Sequence, residues 1–238
     1  MIKDISVLFS GGPDSTLAAL YALEKANRVH LLTFQHRLMF WTEKPKRIIK
    51  ELRNVFGKER IIEYDENIDN LFNTCYFTGM PRRIIRYRTF YIPWICGACK
   101  MAMHIKTLFY NSLHDISITY DGAHSESSPY FPAQTENYLE VMKELYQSYG
   151  MQYESPVYKV RATDKATEKY GILSTKNTKK EHVFYTTQFT CFIGLLVHVH
   201  ARLYYRPFRG KDRMRYFAGE FLRQMIDDCK SFLLGLQL

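Results

Sequence analysis

Apolar residues recur along this chain in two rhythms. Short apolar runs at 3–9, Val29-His30-Leu31-Leu32-Thr33-Phe34, Arg60-Ile61-Ile62-Glu63-Tyr64 and Ile116-Ser117-Ile118-Thr119-Tyr120 predict buried strands. Between them the spacing changes to three and four. Residues 14–26 read as a helix, as do Lys44 to Phe56 with Ile48, Ile49, Leu52 and Phe56 on one stripe, and Gly97 to Leu113 with Met101, Ile105, Leu108 and Phe109 on another. Strands alternating with helices predict parallel β-α-β units, and hence a doubly wound, mostly parallel α/β sheet with both faces covered. Thr135 to Tyr149 predicts a further helix stopped by Gly150, Ser155 to Tyr158 a short extended piece, and Thr163 to Tyr170 a short helix ended by Gly171. Residues 66–95 resist both rhythms. They are rich in Arg and aromatic side chains, with Pro81 and Pro93 as breakers, and read either as a mobile substrate-facing segment or as a packed irregular insertion. From 174 the chain reads as a helical tail whose terminal helix spans about 213–234. The predicted organisation is therefore a nucleotide-binding unit over 1–173 with a C-terminal extension, 174–238, packed on it.

The 238 residues suffice for one large α/β domain. The longest apolar runs are broken by charges and fall short of a bilayer span, and the first strand begins without a leader-like segment, so the expectation is a cytoplasmic protein with no membrane partner. Five cysteines, odd in number and unevenly spaced, do not suggest a disulfide framework. The net charge of +9 favours polyanionic partners. Basic residues cluster at Lys44 to Arg53, Arg82 to Arg88, Lys176 to Lys180 and Arg202 to Arg215. RNA is one reading of these clusters, and solvated faces on a basic nucleotide-binding protein are the other.

The first strand runs into Ser10-Gly11-Gly12-Pro13-Asp14-Ser15-Thr16, which opens the first helix. Two glycines at such a turn let the backbone fold tightly and aim N–H groups at an anion, and the helix N-terminus adds unpaired donors. Ser10, Gly11, Gly12, Ser15 and Thr16 are the candidate phosphate holders. Phe34 and main-chain groups near Phe9 frame a base, and Gly122 ends its strand where a substrate should lie. Asp14 either coordinates Mg²⁺ or caps the helix. His124, Ser125 and Ser127 are lesser substrate-contact candidates.

The pattern S-G-G-x-D-S resembles the PP-loop of the ATP pyrophosphatase superfamily, whose adenine nucleotide alpha hydrolase-like, Rossmann-like fold is then implied. The likeness extends to the 7-cyano-7-deazaguanine synthase family through Val29-His30, Thr33-Phe34, Gly122 followed by Phe131-Pro132, Asp164-Lys165-Ala166, and Thr190-Cys191 with Gly194. It implies ATP and Mg²⁺ as cofactors, and a ligase that attaches AMP to a carbonyl or carboxylate oxygen in modified-nucleobase synthesis of the queuosine type, with Lys165 as counter-charge for the leaving pyrophosphate. Asp14, Ser15 and Lys165 are then the catalytic set.

Two departures matter. Where the family carries Asp-Cys-Arg, this chain has Ala133-Gln134-Thr135, and the cysteines that close the family's zinc site after the one matched by Cys191 are absent from Phe192 to Arg202. Instead the chain has Cys96-Gly97-Ala98-Cys99-Lys100. Thiols three apart at a helix start share a face, where the helix dipole lowers their pKa. Cys96, Cys99 and Cys191 are the candidate metal ligands. Three thiolates beside a PP-loop resemble the iron–sulfur sites of tRNA 2-thiolation enzymes, whereas a fourth ligand such as His104, His198 or His200 would favour zinc. Free buried thiols or a redox pair are the plainer readings, and Cys75 and Cys229 read as ordinary core or surface residues. The expected partners are ATP and either a small nucleobase-like substrate or tRNA. The second function is an iron–sulfur-dependent sulfurtransferase and the third a nucleotide sensor without turnover. The apolar stripe of the terminal helix leaves a homodimer open.

Overall fold

The structure is a computed structural model, and it describes residues 2–40, 43–87, 93–127, 131–172, 190–192 and 222–229. Strand β1 (Ile2–Leu8) leads through the glycine turn into helix α1 (Pro13–Lys25), and β2 (Ala26–Gln35) follows α1 without a linker. A two-residue strand β3 (Met39–Phe40) precedes α2 (Lys44–Phe56) and β4 (Ile61–Asn67). Helices α3 (Asp69–Phe77), α4 (Met80–Tyr87) and α5 (Pro93–His114) then lead to β5 (Ile118–Asp121). The chain continues through α6 (Glu136–Gln147), β6 (Gln152–Glu154) and α7 (Thr163–Glu168) to β7 (Thr190–Cys191), and residues 222–228 are helical.

Five strands form one sheet in the order β4-β2-β1-β5-β6, and every neighbouring pair is parallel. The period of two along each strand divides the core. Ile5, Val7, Val29 and Leu31 face α1 and α2, against Leu17, Leu20, Ile48, Ile49 and Leu52. Leu8, Leu32 and Phe34 face the opposite layer, with Phe72, Ala102, Ile105, Tyr138 and Met142 from α3, α5 and α6. This is the doubly wound α/β architecture expected from the sequence. Among the described residues no helix is long and apolar enough to cross a membrane.

The described parts of the tail rest on this body. β7 pairs antiparallel with β3, and Leu222, Met225 and Cys229 enter the core layer of α3 and α5. The Cys229 and Cys75 sulfurs lie 2.8 Å apart, both buried, so neither is a surface residue.

Three segments differ from the sequence reading. Residues 66–95 are largely helical over their described parts, as α3, α4 and the start of α5. Pro81 and Pro93 stand in the first turns of α4 and α5, where a proline's missing N–H costs nothing, so they open helices rather than break them. Second, α5 begins four residues before Gly97, because its apolar stripe continues upstream through Ile95. Third, the extended piece is Gln152–Glu154 rather than Ser155 to Tyr158. Tyr153 is the buried member of that strand, and the following segment turns, with the Tyr158 N–H bonded to the Ser155 carbonyl.

Candidate active site

The strand order fixes where a site can form. The chain moves outward from β1 to β2 and β4, then returns to place β5 on the other side of β1. The loops after β1 and β5 therefore diverge, and they open a crevice at the carboxyl ends of those strands. A cavity of about 300 Å³ lies there, lined by Phe9, Ser10, Gly12, Asp14 and Ser15 from the first loop and helix, Phe34 from β2, and Asp121 and Gly122 from the end of β5.

The turn is held by its own serines. The Ser15 hydroxyl donates to the Gly12 carbonyl at 3.1 Å, accepts from the Ser10 N–H at 3.3 Å and lies 3.1 Å from the Ser10 hydroxyl. Gly12 is the N-cap of α1 with no side-chain cap bond, and Pro13 occupies the first turn. Among the described residues no side chain caps the opening N–H groups of α1, which leaves them to water or an anion. Two glycines are required by close approach. Gly11 has φ +75°, and a Cβ on it would fall 2.8 Å from the Pro45 Cα of α2. A Cβ on Gly122 would sit 2.6 Å from the Ser15 nitrogen and 2.7 Å from its Cα. Gly122 therefore lets the end of β5 press directly on the first turn of α1.

Not every expected residue reaches the cavity. Phe9, Ser10, Gly12, Asp14, Ser15, Phe34 and Gly122 line it. Gly11 is turned toward α2 and does not. Thr16 is fully buried off the lining, and its hydroxyl has no hydrogen-bond partner among the described residues. Asp14 makes neither a cap bond nor an ion pair among the described residues. Its Oδ1 accepts from the Thr163 hydroxyl at 2.6 Å, which ties α7 to the nucleotide turn. The magnesium that accompanies ATP needs one or two carboxylates besides phosphate oxygens, and Asp14, on the lining, fits that need. Lys165 is exposed on α7 and does not line the cavity. His124 is committed elsewhere: its Nε2 meets the Val160 carbonyl at 2.5 Å, and its N–H donates to the Gln134 side chain at 3.0 Å. Ser127 does line the cavity, Ser125 does not, and Gln134 lines it too.

The sequence reading passed over the charged end of the cavity. Lys100 and Asp121 both line it, and their ammonium and carboxylate are 2.7 Å apart. Tyr153 donates to the same carboxylate oxygen at 2.9 Å, and His104 Nε2 lies 3.9 Å from it. Burial alone would raise the Asp121 pKa, but the Lys100 charge, His104 and the donated hydrogen bonds together hold it below the usual carboxylate range. Burial, helped by the Lys100 charge, pushes the His104 pKa down to about 3, so its ring is neutral, with Nδ1 3.1 Å from the Tyr146 hydroxyl. Lys100 follows Cys99 directly and Asp121 precedes Gly122, so both stand beside residues that the motifs had already marked.

The cysteines behave differently from the helix-start expectation. Burial, with the Cys191 thiol second, raises the Cys96 pKa to about 12, and the Cys99 thiol is also pushed well up. Both lie inside α5 rather than at its first N–H groups, so desolvation outweighs the helix dipole. Cys191 is close enough to act on both electrostatically. Its nearest described imidazole is not an expected one: His36 Nε2 is 3.8 Å from Cys191 Sγ. His104 is engaged below the cavity, and His198 and His200 lie outside the described residues. Among the described residues no three His, Cys, Asp or Glu side chains are grouped so as to hold a metal ion. The described residues alone do not complete a metal or cluster site at this corner.

Among solved structures the chain is similar to a predicted subunit of tRNA methyltransferase from Methanocaldococcus jannaschii, with 19% identity over 71% of this chain and 75% of that chain and a TM-score of 0.42. It is also similar to the U34-tRNA thiolase NcsA from Methanococcus maripaludis with its [4Fe-4S] cluster, with 12% identity over 94% of this chain and 72% of that one and a TM-score of 0.44. No curated protein matches the chain. Residues 4–196 match the family described as Queuosine biosynthesis protein QueC. A match over so much of the chain is decisive, and this protein belongs to the QueC family of ATP-using enzymes.

Proposed function

We propose that this protein transfers AMP from ATP to an oxygen of a small nucleobase-like acceptor, with residues 1–173 as the nucleotide-binding unit and 174–238 as an extension packed on it. The observation that carries this reading is the cavity at the switch point, floored by Ser10, Gly12 and Ser15 and walled by Phe9 and Phe34. The acceptor's carbonyl or carboxylate oxygen attacks the α-phosphorus. The bond from that phosphorus to the β-bridging oxygen breaks, and pyrophosphate leaves with the electron pair. The adenylated carbon then takes a nucleophile and releases AMP. Such phosphoryl chemistry asks the protein mainly for positioning and charge stabilisation. The N–H groups of α1's first turn hold the phosphates, Ser15 keeps the turn closed, Asp14 supplies a carboxylate to magnesium, and Phe34 packs on the base. Lys165, exposed on α7, serves the leaving pyrophosphate only if the Asp14–Thr163 bond keeps that helix against the turn.

Pyrophosphate release in the presence of candidate acceptors is the test. Release with a small deazapurine acid supports the reading, and release only with bulk tRNA moves the acceptor to RNA. Tight ATP binding without release under any condition would leave a nucleotide sensor and refute the transferase. Asp14→Ala is expected to abolish turnover, and unchanged activity would remove its metal role.

One observation favours a second reading, sulfur transfer: Cys96, Cys99 and Cys191 lie within electrostatic reach of one another, beside His36. Protein purified without oxygen decides it. A stoichiometric metal, or an absorbance band near about 400 nm, that Cys96→Ala removes would establish the sulfur reading. Colourless, metal-free protein with full pyrophosphate release would exclude it.

A further inference from the structure

The Ser10–Ser15 turn contains no lysine or arginine, and position 13 of the motif is a proline. Among the described residues that line the cavity, Lys100 is the one cation. It stands on α5, the helix that packs beneath the carboxyl ends of β1 and β5. Asp121 is registered against Leu8, the last residue of β1, and Gly122 touches the backbone of Ser15. The Lys100–Asp121 pair is thus set into the same crevice as the free N–H groups of α1.

The pair is an expensive one. The Asp121 side chain is 2% exposed and that of Lys100 23%. An ion pair taken so far out of water is often no more stable than an apolar pair of the same size. Its environment is also asymmetric. Asp121 has other donors at hand: Tyr153 is bonded to it, and His104 Nε2, 3.9 Å away, is buried with no hydrogen-bond partner among the described residues. A buried ring nitrogen left without a partner is uncommon. In the tautomer in which Nδ1 accepts from the Tyr146 hydroxyl, the ring proton sits on Nε2, 3.9 Å from the carboxylate oxygen that Lys100 holds. Asp121 can therefore release the ammonium without being stranded. The ammonium has no second acceptor among its described hydrogen bonds.

From this geometry we propose that Lys100 is the phosphate-binding cation of the site: its ammonium leaves Asp121 for the phosphate nearest the adenosine, and His104 closes onto the vacated carboxylate. Asp121 and His104 are then positioning residues, and Lys100 supplies the positive charge that the glycine turn lacks. This rests on the nucleotide reading above and adds to it the residue that neutralises the α-phosphate, at which charge builds in the transfer.

The test measures the affinities of ATP, AMP and adenosine by calorimetry for the wild type, Lys100→Met, Lys100→Arg and the double variant Lys100→Met/Asp121→Asn. The double variant leaves no unpaired buried carboxylate and so keeps the experiment readable if Lys100→Met folds poorly. Both Met-containing variants are expected to bind ATP and AMP about tenfold more weakly and adenosine unchanged, with Lys100→Arg close to wild type. Equal weakening of all three ligands would mean that the lysine acts only through the fold, and would overturn the proposal. So would unchanged binding of all three. A loss for ATP with AMP unaffected would move the contact to the outer phosphates and equally overturn it. A wild type that binds no ATP would refute the nucleotide reading itself, a result distinct from each of these.

Discussion

At the scale of single residues, the turn depends on Ser15 more than on either glycine's chemistry. Its hydroxyl meets Ser10 twice and the Gly12 carbonyl once, and the Ser10 hydroxyl adds one longer contact, accepting from the Gly12 N–H at 3.5 Å. Each such bond contributes roughly 0.5–1.5 kcal/mol net. Ser15→Ala is therefore expected to lower ATP affinity about tenfold, by titration of a fluorescent ATP analogue, and to lower the melting temperature by a few degrees. Unchanged affinity would show that the backbone alone sets the turn. His104 gives a pH signature. Its folded pKa of about 3 lies below the 6.5 of an exposed histidine, so the unfolded chain binds the extra proton. The stability gained by keeping the ring neutral is full above about 6.5 and drains as pH falls toward 3, at a slope of at most about 1.4 kcal/mol per pH unit. His30 and His36, also lowered by burial, add to the same loss. Proton uptake on unfolding at pH 5 is expected to fall by nearly one proton in His104→Gln. An unchanged uptake would mean that the ring titrates normally in the folded protein.

At the scale of elements, the site is a set of close approaches between ends. The end of β5 reaches α1 only because Gly122 has no side chain. Gly122→Ala is expected to destabilise the fold by about 1–3 kcal/mol and to weaken nucleotide binding together with it, as calorimetric unfolding and ATP titration would record. An alanine variant that binds ATP normally would mean that this contact is slack. Helix α7 is tied in by Thr163 to Asp14. Thr163→Val should cost about 0.5–1.5 kcal/mol and slow pyrophosphate release more than it weakens ATP binding. Equal effects on both would detach α7 from the chemistry. The elements also show what a sequence can carry. Strands β1 and β2 and helices α1 and α2 announce themselves, because each has one clear period, the β1–α1 turn carries Gly11, Gly12 and Pro13, and α2 is bounded by Pro45 and Gly57. Helices α3 and α4 do not. In α3 Tyr76 packs on the core while Phe77 beside it stays exposed, and α4 leaves Ile84 and Ile85 exposed, so its apolar residues do not mark a buried side.

At the scale of the whole molecule, the crevice follows from the strand order rather than from any one motif. The order depends on long-range parallel pairing, which local periodicity does not record. The glycine turn and Phe34 were legible in the sequence because each lies where a strand stops. Lys100 and Asp121 were not, since a lysine after a cysteine and an aspartate before a glycine look like ordinary surface residues until α5 and β5 are packed side by side. The thiol corner was half legible. Cys96, Cys99 and Cys191 are near one another, but the burial that raises their pKa values comes from tertiary packing. Arg28, Arg53 and Lys100 are paired with Asp4, Glu63 and Asp121, so the excess of +9 is carried by the other basic residues. The most direct test of the nucleotide site is a crystal structure with α,β-methylene-ATP and magnesium. The expected result is phosphate density against the backbone N–H groups of Gly12, Asp14 and Ser15, with the adenine beside Phe34. Phosphates bound elsewhere on the sheet, with the glycine turn left to solvent, would contradict it.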